Sequence, residues 1–346
     1  MKIALDAPGG DFGTAPNIEG ALSAVAAFPD MEVILVGDEA SLKKELQARG
    51  AQDNKSISIH HAPDVVGMEA EPVQECREKP NSSIMVAAGL VGKGQADAVV
   101  SAGNSGAAMV ASLFRIGRIK GISRPAIAVP LPGLRGFTLL LDGGANTESK
   151  PQHLLQFAMM GSLYYRLVFK VDRPTVSVLS VGEEETKGNE LVKETIPLLK
   201  TSGLNYIGPV EGRDIPFNKA QVVVCDGYTG NIVLKLSEGM AKAMFQLIKE
   251  EIEKSAVYKI GALLSKPAFK AVKVRTDPDT AGGAPLLGID GVSIISHGKS
   301  GGHAMHNALR VAREMVLSRT VDMIRQEVAK MNLKAADETE AEGTHP

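Results

Sequence analysis

Residues 137–146 read FTLLLDGGAN: a short run dominated by large apolar side chains stops at Asp142, turns through two glycines and gives way to helical spacing over 151–168. An apolar run of that length, closed by Asp-Gly-Gly, reads as a buried strand with its helix behind it, one βα unit. The same order of strand, small polar residues and helix recurs in KIALDAPGG (2–10), VILVGD (33–38), ADAVVSAGNSG (96–106), TVSVLSVGEEE (175–185) and QVVVCDGYTGN (221–231). Helices are also predicted over 84–92, 190–202, 236–255 and, as one long closing helix, 302–331. This alternation predicts an α/β fold in three layers, a largely parallel sheet flanked by helices. One α/β domain over 1–331 is expected, with an amphipathic helical segment projecting at about 240–278. The acidic end, 332–346, poor in apolar residues, is expected to be a disordered tail.

Composition narrows the function. With 346 residues and 44% hydrophobic content, the chain can bury a sizeable core. Cys76 and Cys225 are far apart, with no C-x-x-C pair, which argues against a disulfide framework or a thiolate zinc site and for a reducing, cytoplasmic setting. No apolar run approaches the roughly 18 residues of a membrane span, and the first residues do not read as a signal peptide. A net charge of −2, no tryptophan and few other aromatics argue against a nucleic-acid partner.

Four of the proposed strands end in similar clusters: Asp6 with Gly9, Gly10 and Asp11; Gly103, Asn104, Ser105 and Gly106; Asp142, Gly144 and Asn146; and Asp226, Gly227, Gly230 and Asn231. Ligands of open α/β sheets bind outside the carboxyl ends of the strands, so these loops are expected around one crevice. Glycines let backbone N–H groups reach an anion, and each following helix turns its positive dipole end toward it. Turn geometry alone explains glycine and asparagine in any single loop. Four such loops together favour a ligand site.

Familiar catalytic motifs are missing. HGKSGG, residues 297–302, ends like a phosphate-binding loop, but Ser293 stands where the first glycine of that motif is required. GNSGA lacks the spacing of a nucleophile elbow, and no G-x-G-x-x-G follows the first strand. His303 and His306 lie three apart on a helix without a third ligand beside them, which reads as a helix-surface pair.

Taken in order, LLLDGGAN with LLQFAMMG, GEEETKGNE, VEGRDI, VCDGYTGNIVLKLSEG, GGAPLLGIDG and SHGKS resemble the bacterial phosphate acyltransferases of the PlsX family, from Met1 to about Met331. Pro8, Thr14-Ala15 and Pro209 depart from the usual pattern. The resemblance implies a fold like that of the isocitrate and isopropylmalate dehydrogenases, a homodimer, and no metal or organic cofactor. It also implies a reaction in which inorganic phosphate attacks the thioester of acyl-acyl carrier protein, giving acyl-phosphate for phospholipid synthesis. A membrane-bound glycerol-3-phosphate acyltransferase is then a possible further partner.

Such chemistry needs position and charge more than an activated nucleophile, because phosphate already carries a competent oxygen. Lys187 is the candidate central cation, with Glu184 beside it and one glutamate of the loop pairing with it to set its rotamer. Asn231 and the amides of Gly230 and Gly188 are candidate donors to phosphate or oxyanion, with Asn104, Ser105 and Asn146 lining the cradle. His297, near Ser300, is the candidate proton donor to the departing sulfur. The charge pattern of GEEETKG equally suits a solvated helix start.

Two surface stretches remain. Arg115, Arg118, Lys120 and Arg124 form a basic patch suited to an acidic carrier protein, or simply a solvated face. Residues 255–275 interleave Ile260, Leu263, Leu264 and Phe269 with lysines, which suits reversible contact with an anionic membrane surface, or a dimer contact. Peripheral membrane association is the resulting expectation. The competing functions are a metal-dependent decarboxylating dehydrogenase and a non-catalytic protein that binds phosphate or the carrier.

Overall fold

The computed structural model describes residues 1–276 and 278–330; the expected tail and the last residue of the expected closing helix lie outside them. In chain order the strands are β1 Lys2–Asp6, β2 Glu32–Gly37, β3 Ile57–His61, β4 Ala98–Ser101, β5 Ala126–Ile127, β6 Val129–Gly133, β7 Gly136–Leu141, β8 Thr175–Ser180, β9 Asn205–Tyr206, β10 Val210–Glu211, β11 Val222–Val224, β12 Ala284–Leu287 and β13 Val292–Ile295. The chain, expected to form one domain over 1–331, packs as two compact units. One comprises Met1–Ala128, Met159–Arg173 and the described residues from Gly282, the other Val129–Ala158 and Pro174–Ala281. The expected single sheet is accordingly two. Local pattern cannot distinguish them, because a βα unit reads the same whichever sheet it joins, and strand pairing is decided by contacts distant in sequence.

In the first unit the order is β3-β2-β1-β4-β13-β12-β5, parallel from β3 to β13 and antiparallel beyond. Strand β1 lies between β2 and β4, with Leu5 in register with Leu35 and Val100. Its residues Ile3 to Asp6 are all buried, as expected for a parallel strand covered on both faces. Each fully buried aliphatic side chain of this kind contributes ~1.5–3 kcal/mol. Helices Ser83–Gly92 and Ser105–Arg115 pack Ile84, Met85, Ala88, Ala107 and Ala111 against Ala4, Val36 and Val99. Helices Thr14–Ala27 and Gly302–Leu317 pack on each other and bury Ile18, Ala21, Met305 and Leu309.

The second unit has the order β10-β8-β11-β7-β6, parallel except for β6, with β9 paired to β8. The three valines of β11 are buried, and Val223 is in register with Leu140 and Ser177. Strand β6, VPLPG, is at the sheet edge, where its two prolines leave no inner ladder donor missing.

Two predicted helices change. The helix expected over 236–255 begins nine residues earlier and spans Gly227–Glu253, because Asp226 caps it by accepting from Thr229 N at 2.8 Å; GYTGN is its first turn, not a loop. The closing helix expected to run unbroken over 302–331 stops at Leu317. There Arg319 takes a left-handed backbone (φ 50°), Ser318 Oγ donates to Glu314 O at 2.7 Å, and residues 320–330 start a new helix. Among the described residues, no helix is long and apolar enough to cross a membrane.

Candidate active site

In the first unit β1 and β4 run side by side and end at Asp6 and Ser101. The Asp6 carboxylate, 3% exposed, accepts a 2.6 Å hydrogen bond from Ser101 Oγ, which in turn accepts from Gly103 N at 3.0 Å. Burial pushes the Asp6 carboxyl above its ordinary range, and the hydroxyls of Ser101 and Ser83 offset only part of that. Its other oxygen has no hydrogen-bond partner among the described residues and borders a cavity of about 10 Å³, room for a single water. A Cβ at Gly9 would lie 2.6 Å from Asp6 Oδ2 and 2.9 Å from Gly103 N, so glycine is what allows the first loop to approach β4. Asn17, missed in the sequence reading, pins that loop by donating to Ala7 O at 2.8 Å and Gly9 O at 2.7 Å.

The other predicted residues of this unit have defined partners. Asn104 caps the helix at Ser105, accepting from Ala107 N at 3.0 Å, and donates to Met68 O at 3.0 Å and Ala70 O at 3.1 Å. Its side chain therefore builds the loop. Ser105 is exposed in the first turn, and Gly106 packs against Pro72. Gly10 lies over Gly298 O, and Asp11 N donates to that carbonyl at 2.7 Å, joining the first loop to the SHGKS loop. Ser300 is buried with its hydroxyl 2.9 Å from that of Ser296. His297 is exposed, and its Nδ1 accepts from Lys299 N at 3.2 Å, which leaves the neutral ring's proton on Nε2.

In the second unit Asp142, fully buried, gathers the turn that follows β7. Oδ1 accepts from Gly144 N at 3.2 Å and Ala145 N at 3.0 Å, and Oδ2 from Asn146 N at 2.7 Å and Asn146 Nδ2 at 2.8 Å. A carboxylate so engaged organises its own loop. The next strand's helix is set against this turn: Gly227 N donates to Asn146 O at 2.7 Å, and a Cβ at Gly230 would fall 1.9 Å from Asp142 O. Only glycine fits there. Asp226 spends both oxygens on Thr229, N and Oγ1 each at 2.8 Å. Asn231 is exposed and lies over Gly144.

The GEEETKG segment is a loop, and the helix Glu190–Thr201 behind it is capped by Asn189, which accepts from Val192 N at 3.0 Å. The glutamates do not pair with Lys187 as expected. Glu183 accepts from Lys219 Nζ at 2.6 Å and Glu185 from Lys200 Nζ at 2.5 Å. Lys187 N donates to Glu184 O at 2.9 Å, closing a turn, while the exposed Lys187 ammonium has no ion-pair partner among the described residues. Two of three acidic neighbours are thus neutralised elsewhere. The sequence gives no signal of this, since Lys200 and Lys219 come from a later helix and a later turn.

Beside this loop, at the carboxyl ends of β8 and β11, lies a cavity of about 280 Å³ walled by Leu154, Leu179, Leu191 and Val192. Ser180 lines it, and its shielded hydroxyl has no hydrogen-bond partner among the described residues. The adjacent Cys225 thiol is pushed well up by burial and by Asp226 and Asp142, so it is held protonated.

Of the basic patch, Arg115 donates to Pro80 O at 2.9 Å and Arg118 to Ser123 O, while Lys120 and Arg124 are exposed. Helices Ala256–Leu264 and Lys266–Thr276 bury no residue; Leu263 and Leu264 are 68% and 79% exposed, and Ile260 and Phe269 are exposed too. Among the described residues, no three His, Cys, Asp or Glu side chains are grouped to hold a metal ion; His303 meets Asn307 and His306 meets Ser23.

The structure is similar to the EutD phosphotransacetylase of Staphylococcus aureus (TM-score 0.57, 18% identity, 91% of this chain and 94% of that one). It is also similar to 4-hydroxythreonine-4-phosphate dehydrogenase of Klebsiella pneumoniae (TM-score 0.50, 12% identity, 95% and 97%). At such identities the likeness concerns the α/β fold. In sequence, a protein of Elusimicrobium minutum (strain Pei191) named phosphate acyltransferase is 58% identical over 330 residues, 95% of this chain and 96% of that one. The family model described as fatty acid synthesis protein matches residues 1–323. The chain therefore belongs to the PlsX family of fatty acid synthesis proteins.

Proposed function

We propose that the protein transfers a fatty acyl group from acyl-acyl carrier protein to inorganic phosphate, giving acyl-phosphate for phospholipid synthesis. Family membership and the name of the 58% identical relative support the reaction. The observation that carries the site is the Lys187 ammonium, which has no ion-pair partner among the described residues, in a loop whose neighbouring Glu183 and Glu185 are held by Lys219 and Lys200. A phosphate dianion meets a cation there without the full repulsion of three carboxylates. A phosphate oxygen attacks the thioester carbonyl carbon, Lys187 with Asn231 and the amide of Gly188 balances the developing charge, and the C–S bond breaks with the departing thiolate taking a proton from solvent. The Gly230 amide is not a donor, because it already donates to Asp226 O at 2.9 Å. The buried, protonated Cys225 supports direct attack, with no acyl-enzyme.

In the same reading the basic patch of Arg115, Arg118, Lys120 and Arg124 meets the acidic carrier. The exposed helices over 256–276 contact an anionic membrane surface, where a membrane-bound acyltransferase receives the product, and the working form is a cytoplasmic homodimer. The kinship is with the isocitrate and isopropylmalate dehydrogenase fold. The test is to mix the protein with acyl-carrier protein and phosphate and detect acyl-phosphate. Lys187→Ala should lower kcat/KM by about 100- to 1,000-fold in a folded protein, as removal of one transition-state donor does. Normal turnover by that variant would return the loop to a solvated surface feature.

A further inference from the structure

The cavity at the ends of β8 and β11 has no assigned occupant. Its volume of about 280 Å³ is just below the ~300–1,000 Å³ of small-molecule clefts, so it suits part of a substrate. Leu154, Leu179, Leu191 and Val192 make its walls aliphatic, no lysine or arginine lines it, and the Asp226 carboxylate does. A phosphate dianion placed there would lose its hydration against hydrocarbon and face a like charge. A neutral acyl chain gains from the same walls. Of its polar lining groups, Asp226 and Thr229 bond each other and Asn189 caps the helix Glu190–Thr201, whereas the shielded Ser180 hydroxyl has no hydrogen-bond partner among the described residues. Leaving such a group unpaired is unfavourable, and an acyl carbonyl oxygen is an acceptor it would meet.

We propose that this cavity receives the carbonyl-proximal methylenes of the acyl group, with the Ser180 hydroxyl donating to the thioester carbonyl oxygen. The assignment rests on the acyl-transfer reading and adds to it the place of the chain. Gly212 offers a clean probe. It lines the cavity, a Cβ built on it has nothing within 4 Å, and its φ is outside the left-handed region, so a side chain there enters open space without strain.

Binding of a palmitoyl-pantetheine thioether in which a methylene separates the sulfur from the acyl carbonyl, so that the carbonyl is kept and acyl transfer is blocked, is measured by calorimetry beside its acetyl counterpart, and acyl-phosphate formation is assayed separately. Gly212→Leu is expected to weaken the palmitoyl thioether about tenfold, to leave the acetyl one within about twofold, and to leave the KM for phosphate unchanged. Ser180→Ala is expected to weaken both thioethers by a similar factor of several-fold, since both keep the carbonyl. Equal binding of the palmitoyl thioether by wild type and Gly212→Leu, or a raised phosphate KM with acyl binding intact, overturns the assignment. Absence of acyl-phosphate from the wild type, with the thioether still bound and chain-selective, overturns the reaction and leaves the acyl subsite standing.

Discussion

Lys200 Nζ lies 2.5 Å from a carboxylate oxygen of Glu185, and the pair joins a helix to a loop fifteen residues away in sequence. With the 2.6 Å pair of Lys219 and Glu183, it draws negative charge away from Lys187. Both pairs are about half exposed, so each is worth only ~0.2–1 kcal/mol to the fold. Their consequence is electrostatic. Lys200→Met with Lys219→Met should raise the KM for phosphate about threefold at low salt, an effect that shrinks as salt screens the released glutamates. Equal KM values at low salt would show that the glutamates do not face the anion.

The buried Asp6 carboxyl gives a pH signature. Unfolded, it ionises near 3.8; folded, burial raises that value, so the folded state keeps the proton over an interval in which the unfolded state has lost it. Its contribution to stability is therefore full below 3.8 and falls as pH rises toward the folded value. Asp6→Asn has no such titration. Denaturant titrations across that range should show the variant gaining on the wild type as pH rises, and parallel profiles would place a charged Asp6 in the fold.

Cys225 tests the direct path. Its thiol is held protonated by burial and two aspartates, and it lies 3.9 Å from Asp142 O. Cys225→Ala should keep turnover within about an order of magnitude, with sequential kinetics and no acyl group on the enzyme after quenching without phosphate. Ping-pong kinetics in the wild type, or an acyl-cysteine recovered at this position, contradicts direct attack.

The helices over 256–276 leave Leu263 and Leu264 bare beside Lys259, Lys266 and Lys270. Leu263→Glu with Leu264→Glu should abolish sedimentation with anionic vesicles and spare activity on soluble carrier substrate. If the variant instead becomes monomeric in ultracentrifugation, these leucines are a contact between two copies of the chain.

Much of this was legible in sequence because its causes are local. The βα rhythm, the capping asparagines and aspartates and the glycines after β1, β4, β7 and β11 follow from backbone sterics and short-range hydrogen bonding, which the order of residues carries directly. Asp142 and Asp226 were found for that reason, although the hydrogen bonds show them building loops and caps. Ser101 and Ser180 were passed over because a single serine ending an apolar run looks like any strand end.

By itself the sequence determined the α/β class, the family and the positions of the four loops. Tertiary structure decided that the strands divide between two sheets, that the closing helix breaks at Arg319, and which lysines hold Glu183 and Glu185. The division has one physical reason: caps and turns are satisfied within a few residues, whereas sheet partners and ion pairs depend on what the fold brings near, and no spacing along the chain records that.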